Sequence, residues 1–157
     1  MECPDQYSDC LSGRCLCHFG FDQEEKKCVV TETCVDWLAK GAKSGVYTVQ
    51  LAFYGARSVW CDMDTAGGGW LVIQRRRDFT VDFNRSWTEY ASGFGNLSGD
   101  FWLGIDAIGE LASYDTRLRV ELVDWTGTQY WAEYSHFSLG SPQGDYQLYA
   151  SGYSGTA

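Results

Sequence analysis

Trp60-Cys61-Asp62-Met63-Asp64-Thr65-Ala66-Gly67-Gly68-Gly69-Trp70-Leu71-Val72-Ile73-Gln74-Arg75-Arg76 is the stretch from which the fold can be read. Ser58-Val59-Trp60-Cys61 leads into it with β-branched and aromatic residues. The apolar run Trp70 to Ile73 is short enough to be a buried strand. Three consecutive glycines separate the two, so the chain turns between them. Upstream, Val46-Tyr47-Thr48-Val49-Gln50-Leu51 reads as another strand. Phe53-Tyr54-Gly55-Ala56-Arg57 carries a turn glycine, and together these predict a hairpin with Ser58 to Cys61. Val35 to Lys40 has helical character and is stopped by Gly41; a bridge from Cys34 to Cys61 would pin that helix against the hairpin. Downstream, Ser86-Trp87-Thr88-Glu89 has capping-box spacing, which predicts a helix start. Leu118, Val120 and Leu122 alternate with Arg117, Arg119 and Glu121, the period of a half-buried strand. Trp125-Thr126-Gly127-Thr128 turns the chain into a partner strand, Gln129 to Ser135. The pattern is α+β with a predominantly antiparallel sheet.

Composition narrows the function. The 157 residues are 45% hydrophobic and 21% charged, a globular balance, and no apolar stretch approaches the roughly 20 residues of a spanning helix. The net charge of −9 opposes a phosphate backbone, so nucleic acid is not an expected partner. Seven Trp, 10 Tyr and 8 Phe beside 18 Gly favour short strands and tight turns. The 7 cysteines are an odd number, so either one thiol is free or its partner lies outside this sequence. Met1-Glu2-Cys3 opens without a basic or an apolar region, so the disulfide-type pattern is expected to belong to a truncated secreted product.

Candidate chemistry is sparse. Asp62 and Asp64 are hard oxygen ligands two residues apart, but calcium takes 6–8 oxygens. They are therefore expected to end a strand and polarise the approach to the glycine turn. Arg75-Arg76-Arg77 suggests an anion patch, yet alternation sends adjacent side chains to opposite faces, with Asp78 and Asp82 nearby as ion-pair partners. His18 and His136 stand outside any His-Glu-x-x-His zinc spacing. A zinc site from Cys15, Cys17 and His18 is less expected than disulfides. Gly152-Tyr153-Ser154-Gly155 has the wrong offset for a nucleophile elbow, and Gly93-Phe94-Gly95 lacks the third glycine of a dinucleotide loop. No enzyme is expected. Asn84-Arg85-Ser86 and Asn96-Leu97-Ser98 satisfy the N-glycosylation sequon, although Asn96 reads equally as a turn residue between glycines. Trp131 and Tyr149 could stack on sugar rings, but so aromatic a core is expected to take most such side chains inside.

Cysteine density divides the sequence. Cys3, Cys10, Cys15, Cys17 and Cys28 crowd the first 28 residues, where apolar runs are almost absent; Val29 to Thr33 is a hinge, and only Cys34 and Cys61 follow. So poor a segment relies on crosslinks rather than a core. Cys15-x-Cys17-x-x-Gly20-Phe21 with Cys28 resembles the C-terminal half of an EGF-like module. That resemblance implies Cys17–Cys28 and Cys3–Cys15 bridges, with Cys10 unpaired and its partner upstream. Residues 1–30 are thus expected to form a partial EGF-like module.

The remainder is similar to another family. Cys34-Val-Asp-Trp-Leu, Gly41-Ala-Lys-Ser-Gly45-Val-Tyr47, Trp60-Cys61-Asp62-Met63-Asp64, Gly67-Gly-Gly-Trp70, Phe83-Asn-Arg-Ser-Trp87 and Gly93-Phe-Gly-Asn-Leu-Ser-Gly-Asp-Phe101-Trp102-Leu-Gly104 occur in order. Leu118-Arg119-Val120 and Tyr153-Ser154-Gly155-Thr156-Ala157 follow. Together they resemble the fibrinogen C-terminal domain of ficolins, tenascins, angiopoietins and invertebrate fibrinogen-related lectins, here over residues 34–157. The resemblance implies a fibrinogen C-terminal-like fold whose acidic calcium loop, second disulfide and most of the ligand pocket belong beyond Ala157. No metal or cofactor is expected in this chain, and calcium only in the full-length domain. A chain ended at Ala157 is then expected to leave strand edges open and to bind neither calcium nor sugar. For the parent, the resemblance implies a secreted, extracellular and oligomeric recognition protein, a lectin for glycans or acetylated ligands in innate immunity. The alternative is a tenascin-like matrix or receptor-ligand protein that binds cell-surface proteins.

Overall fold

The structure is a computed structural model. It describes residues 33–51, 55–112 and 116–157, and the backbone of 8–11, 14–17, 21–24 and 27–30. The chain divides into two compact units, Met1–Leu103 and Gly104–Ala157.

The first unit opens with two short antiparallel pairs. Strand β1 (Ser8–Leu11) runs against β2 (Arg14–Cys17), and β3 (Phe21–Glu24) against β4 (Lys27–Val30). Cys3, His18 and the side chains of Cys10, Cys15, Cys17 and Cys28 lie outside the described residues, as do the bridges and the zinc reading placed on them. Helix α1 (Cys34–Ala39) follows. Thr33 caps it: its hydroxyl accepts from the Asp36 N–H while the Asp36 carboxylate accepts from the Thr33 N–H at 2.8 Å. This Thr-x-x-Asp capping pattern sets the helix start one residue before the expected Val35.

The hairpin is longer than the sequence reading places it. Strand β5 (Gly45–Leu51) pairs with β6 (Gly55–Asp62) from Gly45–Cys61 to Leu51–Gly55. Gly55, Ala56 and Arg57, expected in the turn, are the first residues of β6. Residues 52–54 lie outside the described residues. The outer edge of β6 then receives β7 (Trp70–Val72), with Cys61 opposite Leu71. Between them the glycine triplet closes a 3-10 turn, Thr65–Gly67, and Gly68 follows at φ +78°. A Cβ on Gly68 would stand 2.3 Å from the Met63 carbonyl oxygen, so no larger residue fits that return.

At Ile73 the backbone leaves this sheet. Strand β8 (Gln74–Arg75) belongs to a second sheet of order β8-β10-β9, with β9 (Phe94–Gly95) and β10 (Phe101–Trp102). The expected single run Trp70 to Ile73 is therefore split between two sheets, and the Ile73 carbonyl at the switch accepts from the Leu103 N–H at 2.8 Å. Cys34, Val49, Val59, Cys61, Met63, Phe101 and Leu103 are buried. The Cys34–Cys61 bridge ties α1 to β6 as anticipated. Trp37 on α1 lies against Tyr47 on β5 with ring centroids 4.9 Å apart.

Helix α2 (Trp87–Ser92) starts where the capping box places it. Ser86 accepts from the Glu89 N–H, and the Glu89 carboxylate accepts from the Ser86 N–H at 2.9 Å and its hydroxyl at 2.8 Å. Those hydrogen bonds from Ser86, then one from Arg85, hold the Glu89 carboxyl down to about 2 from an ordinary 4.5. A pKa depressed on folding gives stabilisation that is complete above the ordinary value and fades as pH falls toward the folded one. The carboxyl carbon shift of Glu89 should therefore titrate near pH 2, with α2 amide protection declining between about pH 4.5 and 2. Titration near 4.5 would contradict the reciprocal cap. Ser86→Ala should cost about 1 kcal/mol of stability.

Among the described residues the second unit is a three-stranded antiparallel meander with one α-helix and a 3-10 turn, Pro142–Gly144. Helix α3 (Ile105–Leu111) is followed by β11 (Thr116–Val123), β12 (Gln129–Leu139) and β13 (Leu148–Gly155), in sheet order β11-β12-β13. Strand β12 extends four residues past the expected Ser135, and α3 and β13 are elements that the residue pattern does not announce. Ala107, Ile108, Ala112 and Phe137 are buried here. The Ala112 carbonyl accepts from the Leu139 N–H, and the Tyr146 hydroxyl donates to Asp106.

Candidate functional site

Each residue singled out by the sequence can now be placed by what it touches. Asp62 ends β6, and its carboxylate is fully used in the turn. One oxygen accepts from the backbone N–H groups of Asp64 and Thr65 at 2.8 and 3.0 Å, and the other from the Thr65 hydroxyl at 2.6 Å. Partial burial pushes this carboxyl up, but the hydrogen bonds from Thr65 and Asp64 together outweigh burial and leave it below its ordinary value. Asp64 accepts from the Ser44 hydroxyl, which in turn accepts from the Met63 N–H at 2.9 Å. The two carboxylates shape the glycine turn. Among the described residues no group of three or more potential ligands gathers around a metal position.

The three arginines go separate ways. Arg75 reaches into the turn that joins β9 to β10: Nε donates to the Gly99 carbonyl at 2.8 Å and Nη2 to the Leu97 carbonyl at 2.6 Å. Its guanidinium lies 4.1 Å from the Trp60 ring centre. Arg76 covers Phe83 at 4.1 Å and Phe79 at 5.2 Å. Asp78 and Asp82, expected as ion-pair partners, instead fold their own loops. Asp78 accepts from the Thr80 N–H and hydroxyl, and Asp82 from the Asn84 N–H at 2.8 Å. Carbonyls and ring faces satisfy the Arg75 and Arg76 guanidiniums because the loop carboxylates bond the nearest backbone donors.

Asp100 stands in the quoted motif with no role assigned by the sequence, and it is fully buried. One oxygen accepts from the Arg77 N–H at 2.5 Å and the Asp78 N–H at 3.3 Å. The Arg77 N–H is the strongest influence, and the carboxyl stays below its ordinary value despite burial. Arg75 and Asp100 thus fasten the same two segments in opposite directions. An open hollow of about 210 Å³ lies alongside, lined by Arg57, Ser92, Gly93, Phe94, Trp102 and Leu103 among others. Arg57 spends a donor on the Leu103 carbonyl, and Ser58 and Ser92 add hydroxyls to a lining otherwise of glycine and apolar residues.

The sequons differ. Asn84 is exposed in the loop before α2, and its carboxamide makes no hydrogen bond among the described residues. Asn96 is exposed too, but its side-chain oxygen accepts from the Ser98 N–H at 2.9 Å within the β9–β10 turn.

In the second unit Trp131 and Tyr149 are not core residues. Trp131 is half-buried under the Arg119 guanidinium at 4.6 Å, and Arg119 is paired to Glu121 and Glu133. Tyr149 is 53% exposed, beside a shallow hollow of about 360 Å³ lined with His136, Ser138 and Ser151. A three-stranded sheet with one helix has too little interior to hold them all. The most prominent feature is the β11–β12 tip. Trp125 is 99% exposed there, with Val123 and Leu122 also exposed. The tip is nonetheless ordered: Asp124 accepts from the Thr126 hydroxyl at 2.6 Å and the N–H groups of Thr126 and Thr128 at 2.8 and 2.9 Å. Those bonds, the Thr126 hydroxyl first, hold the Asp124 carboxyl below its ordinary value. The sequence marks Trp125 only as part of a turn. Its signal is a large aromatic where turn chemistry asks for a small polar residue.

Comparison with known proteins gives a consistent result. Residues 30–157 match the family described as fibrinogen beta and gamma chains, C-terminal globular domain. Human angiopoietin-1 is 40% identical over 151 residues, covering 94% of this chain and 30% of that protein. Bovine angiopoietin-related protein 7 is 54% identical over 97 residues, covering 62% of this chain and 28% of that protein. The fibrinogen-like globe domain of human ANGPTL6 superimposes with a TM-score of 0.76 at 39% identity, over 80% of this chain and 57% of that one. The protein therefore spans under a third of these curated relatives and somewhat more than half of the solved globe. The relatives named are angiopoietins and angiopoietin-related proteins, not the ficolins and lectins that the motif resemblance puts first, and none of these names is an enzyme's. Nothing in the match speaks for an EGF-like module. Among the described residues no helix is long and apolar enough to cross a membrane.

Proposed function

Because the protein belongs to the fibrinogen C-terminal globular domain family, we propose that it is part of a secreted receptor-ligand protein that works by contacting extracellular or cell-surface proteins. The alternative reading from sequence is thereby preferred to the lectin reading, since the relatives are angiopoietins. Trp125 is the observation that carries it. An indole 99% exposed on a turn whose backbone is held by three hydrogen bonds to Asp124 is presented to a protein pocket without the loop having to reorganise.

The labelled protein should bind cultured cells, and protease treatment of the cells should abolish that binding while glycosidase treatment should not. Trp125→Ala should weaken it at least about tenfold. Stability should change by no more than about 0.5 kcal/mol, because the side chain packs against nothing. Binding that survives protease and yields to free N-acetylated sugars would favour the lectin reading, for which the Tyr149 hollow is the candidate platform. Calcium is proposed for the complete domain and not for Asp62 or Asp64. The first 30 residues are proposed as a partial EGF-like module with Cys17–Cys28 and Cys3–Cys15 bridges and Cys10 unpaired, assignments that peptide mapping under non-reducing conditions would check.

A further inference from the structure

We propose that Asn84 carries an N-linked oligosaccharide and that Asn96, although it satisfies the same sequon, does not. Both side chains are exposed, so accessibility does not separate them. What separates them is how much structure must open for the asparagine to enter a transferase. The Asn96 sequon is closed into the β9–β10 turn by hydrogen bonds from Asn96 N–H to Asp100 O, Gly99 N–H to Asn96 O and Ser98 N–H to Asn96 Oδ1. Arg75 clamps the same turn from outside through the Leu97 and Gly99 carbonyls. The first three bonds lie within the short segment 96–100, so the turn can close as soon as that segment exists. Asn84 itself makes only the bond from its own N–H to Asp82, and its carboxamide is free among the described residues. Its sequon is otherwise held by the Ser86 cap to Glu89, but α2 has six residues, far fewer than the roughly 12–15 at which an isolated helix becomes marginal, so that cap waits for tertiary packing while the 96–100 turn does not. Ser86, the third sequon residue, is extended at φ −68° and ψ 161°.

The surroundings give the modification a physical purpose. Phe79 is 67% exposed and Trp87 59% exposed on either side of Asn84 in sequence, two large apolar side chains left in water. The nearer of the two, Trp87, is three residues from Asn84, so an oligosaccharide there would put polar surface beside it. The transfer balances without an added oxidant or reductant. Asn84 Nδ2 attacks the anomeric carbon of a lipid-pyrophosphate-linked oligosaccharide and loses a proton to the enzyme's base. A C–N bond forms, the C–O bond to pyrophosphate breaks, and the lipid pyrophosphate leaves.

The inference rests on the extracellular reading, and the test separates the two. The 157-residue protein is sent through the secretory pathway of cultured human cells behind a foreign signal peptide, so entry does not depend on its own route. Intact mass is then measured before and after peptide-N-glycosidase for wild type, Asn84→Gln, Asn96→Gln and Ser86→Ala, and wild-type glycopeptides are mapped directly. The expected wild type carries one glycan, on Asn84; Asn84→Gln and Ser86→Ala lack it, and Asn96→Gln keeps it. A glycan on Asn96, alone or together with Asn84, or a secreted wild-type protein bare at Asn84, overturns the proposal. Glycopeptide mapping of the wild type decides the matter even where a variant is retained in the cell. The cell-binding assay above tests the extracellular reading independently.

Discussion

Phe101→Ala is expected to destabilise the protein by about 3–5 kcal/mol, the range for removing a buried phenyl ring. Phe101 is 1% exposed and lies on β10, the central strand of the β8-β10-β9 sheet. Collapse around the missing ring is hindered from both flanks. Opposite stands Gly95, where a Cβ would lie 2.3 Å from the Asp100 carbonyl oxygen, so the backbones already touch. On the other side β8 is held by Arg75 and by the acceptance of the Arg77 N–H by Asp100. A site that cannot relax keeps its cavity, which places the loss toward the upper part of that range. Chemical denaturation should show a lower midpoint with an unchanged slope, and heating a fall of the melting temperature by roughly 10 °C. Phe101→Leu, which keeps most of the volume, should recover much of the loss. Alanine tolerated within about 1 kcal/mol would mean that this strand is not part of the cooperative core.

Replacing both Cys34 and Cys61 by Ala is expected to cost about 3.5 kcal/mol, the loop-closure entropy for residues 27 apart in sequence. The bridge matters more than that figure suggests for one element. Helix α1 has six residues, far fewer than the roughly 12–15 at which an isolated helix becomes marginal in water. It keeps its shape through the Thr33–Asp36 cap, the packing of Trp37 on Tyr47 and the covalent tie to β6. Of these the tie does not weaken when the others fluctuate. Loss of the bridge should therefore raise amide exchange in α1 before exchange in β5 or β6. Reducing agent added to the wild type should reproduce the double variant, and a double variant within about 1 kcal/mol of wild type would show that packing alone places the helix.

Antiparallel pairing, the Cys34–Cys61 bridge and the α2 start were legible because each is written in a few neighbouring residues with one physical meaning. Other parts were not. Trp70 to Ile73 is continuous in hydrophobicity, so no local signal marks where the backbone passes from one sheet to the next at Ile73. Helix α3 begins after Gly104, which has no side chain to cap it, and contains Gly109, so it lacks the start signal that betrayed α2. Strand β13 is Leu-Tyr-Ala-Ser-Gly-Tyr-Ser-Gly, too small and polar to alternate clearly, and it exists because β12 pairs with it. Of the site residues, sequence identified Asp62, Asp64 and the arginines but assigned the arginines the wrong partners, since carbonyl acceptors leave no trace in residue identity. It overlooked Asp100 and Trp125 for opposite reasons. One is a buried charge whose partners are backbone N–H groups, and the other is an apolar residue whose exposure no periodicity records.

The reciprocal fastening between Arg75 and Asp100 also bears on how much extra length the fold can absorb. Segments 75–78 and 97–100 are joined to each other, so what lies between them leaves and returns through a fixed pair of posts. Within that handle, residues 79–85 form loop rather than ladder. Doubling the length of such a loop costs only about 0.6 kcal/mol in closure entropy. Extra residues, a peptide tag or a fluorophore could be grafted between Thr80 and Asp82, ahead of the packed Phe83, without disturbing the strands at its base, which makes this part of the loop a natural place for engineering.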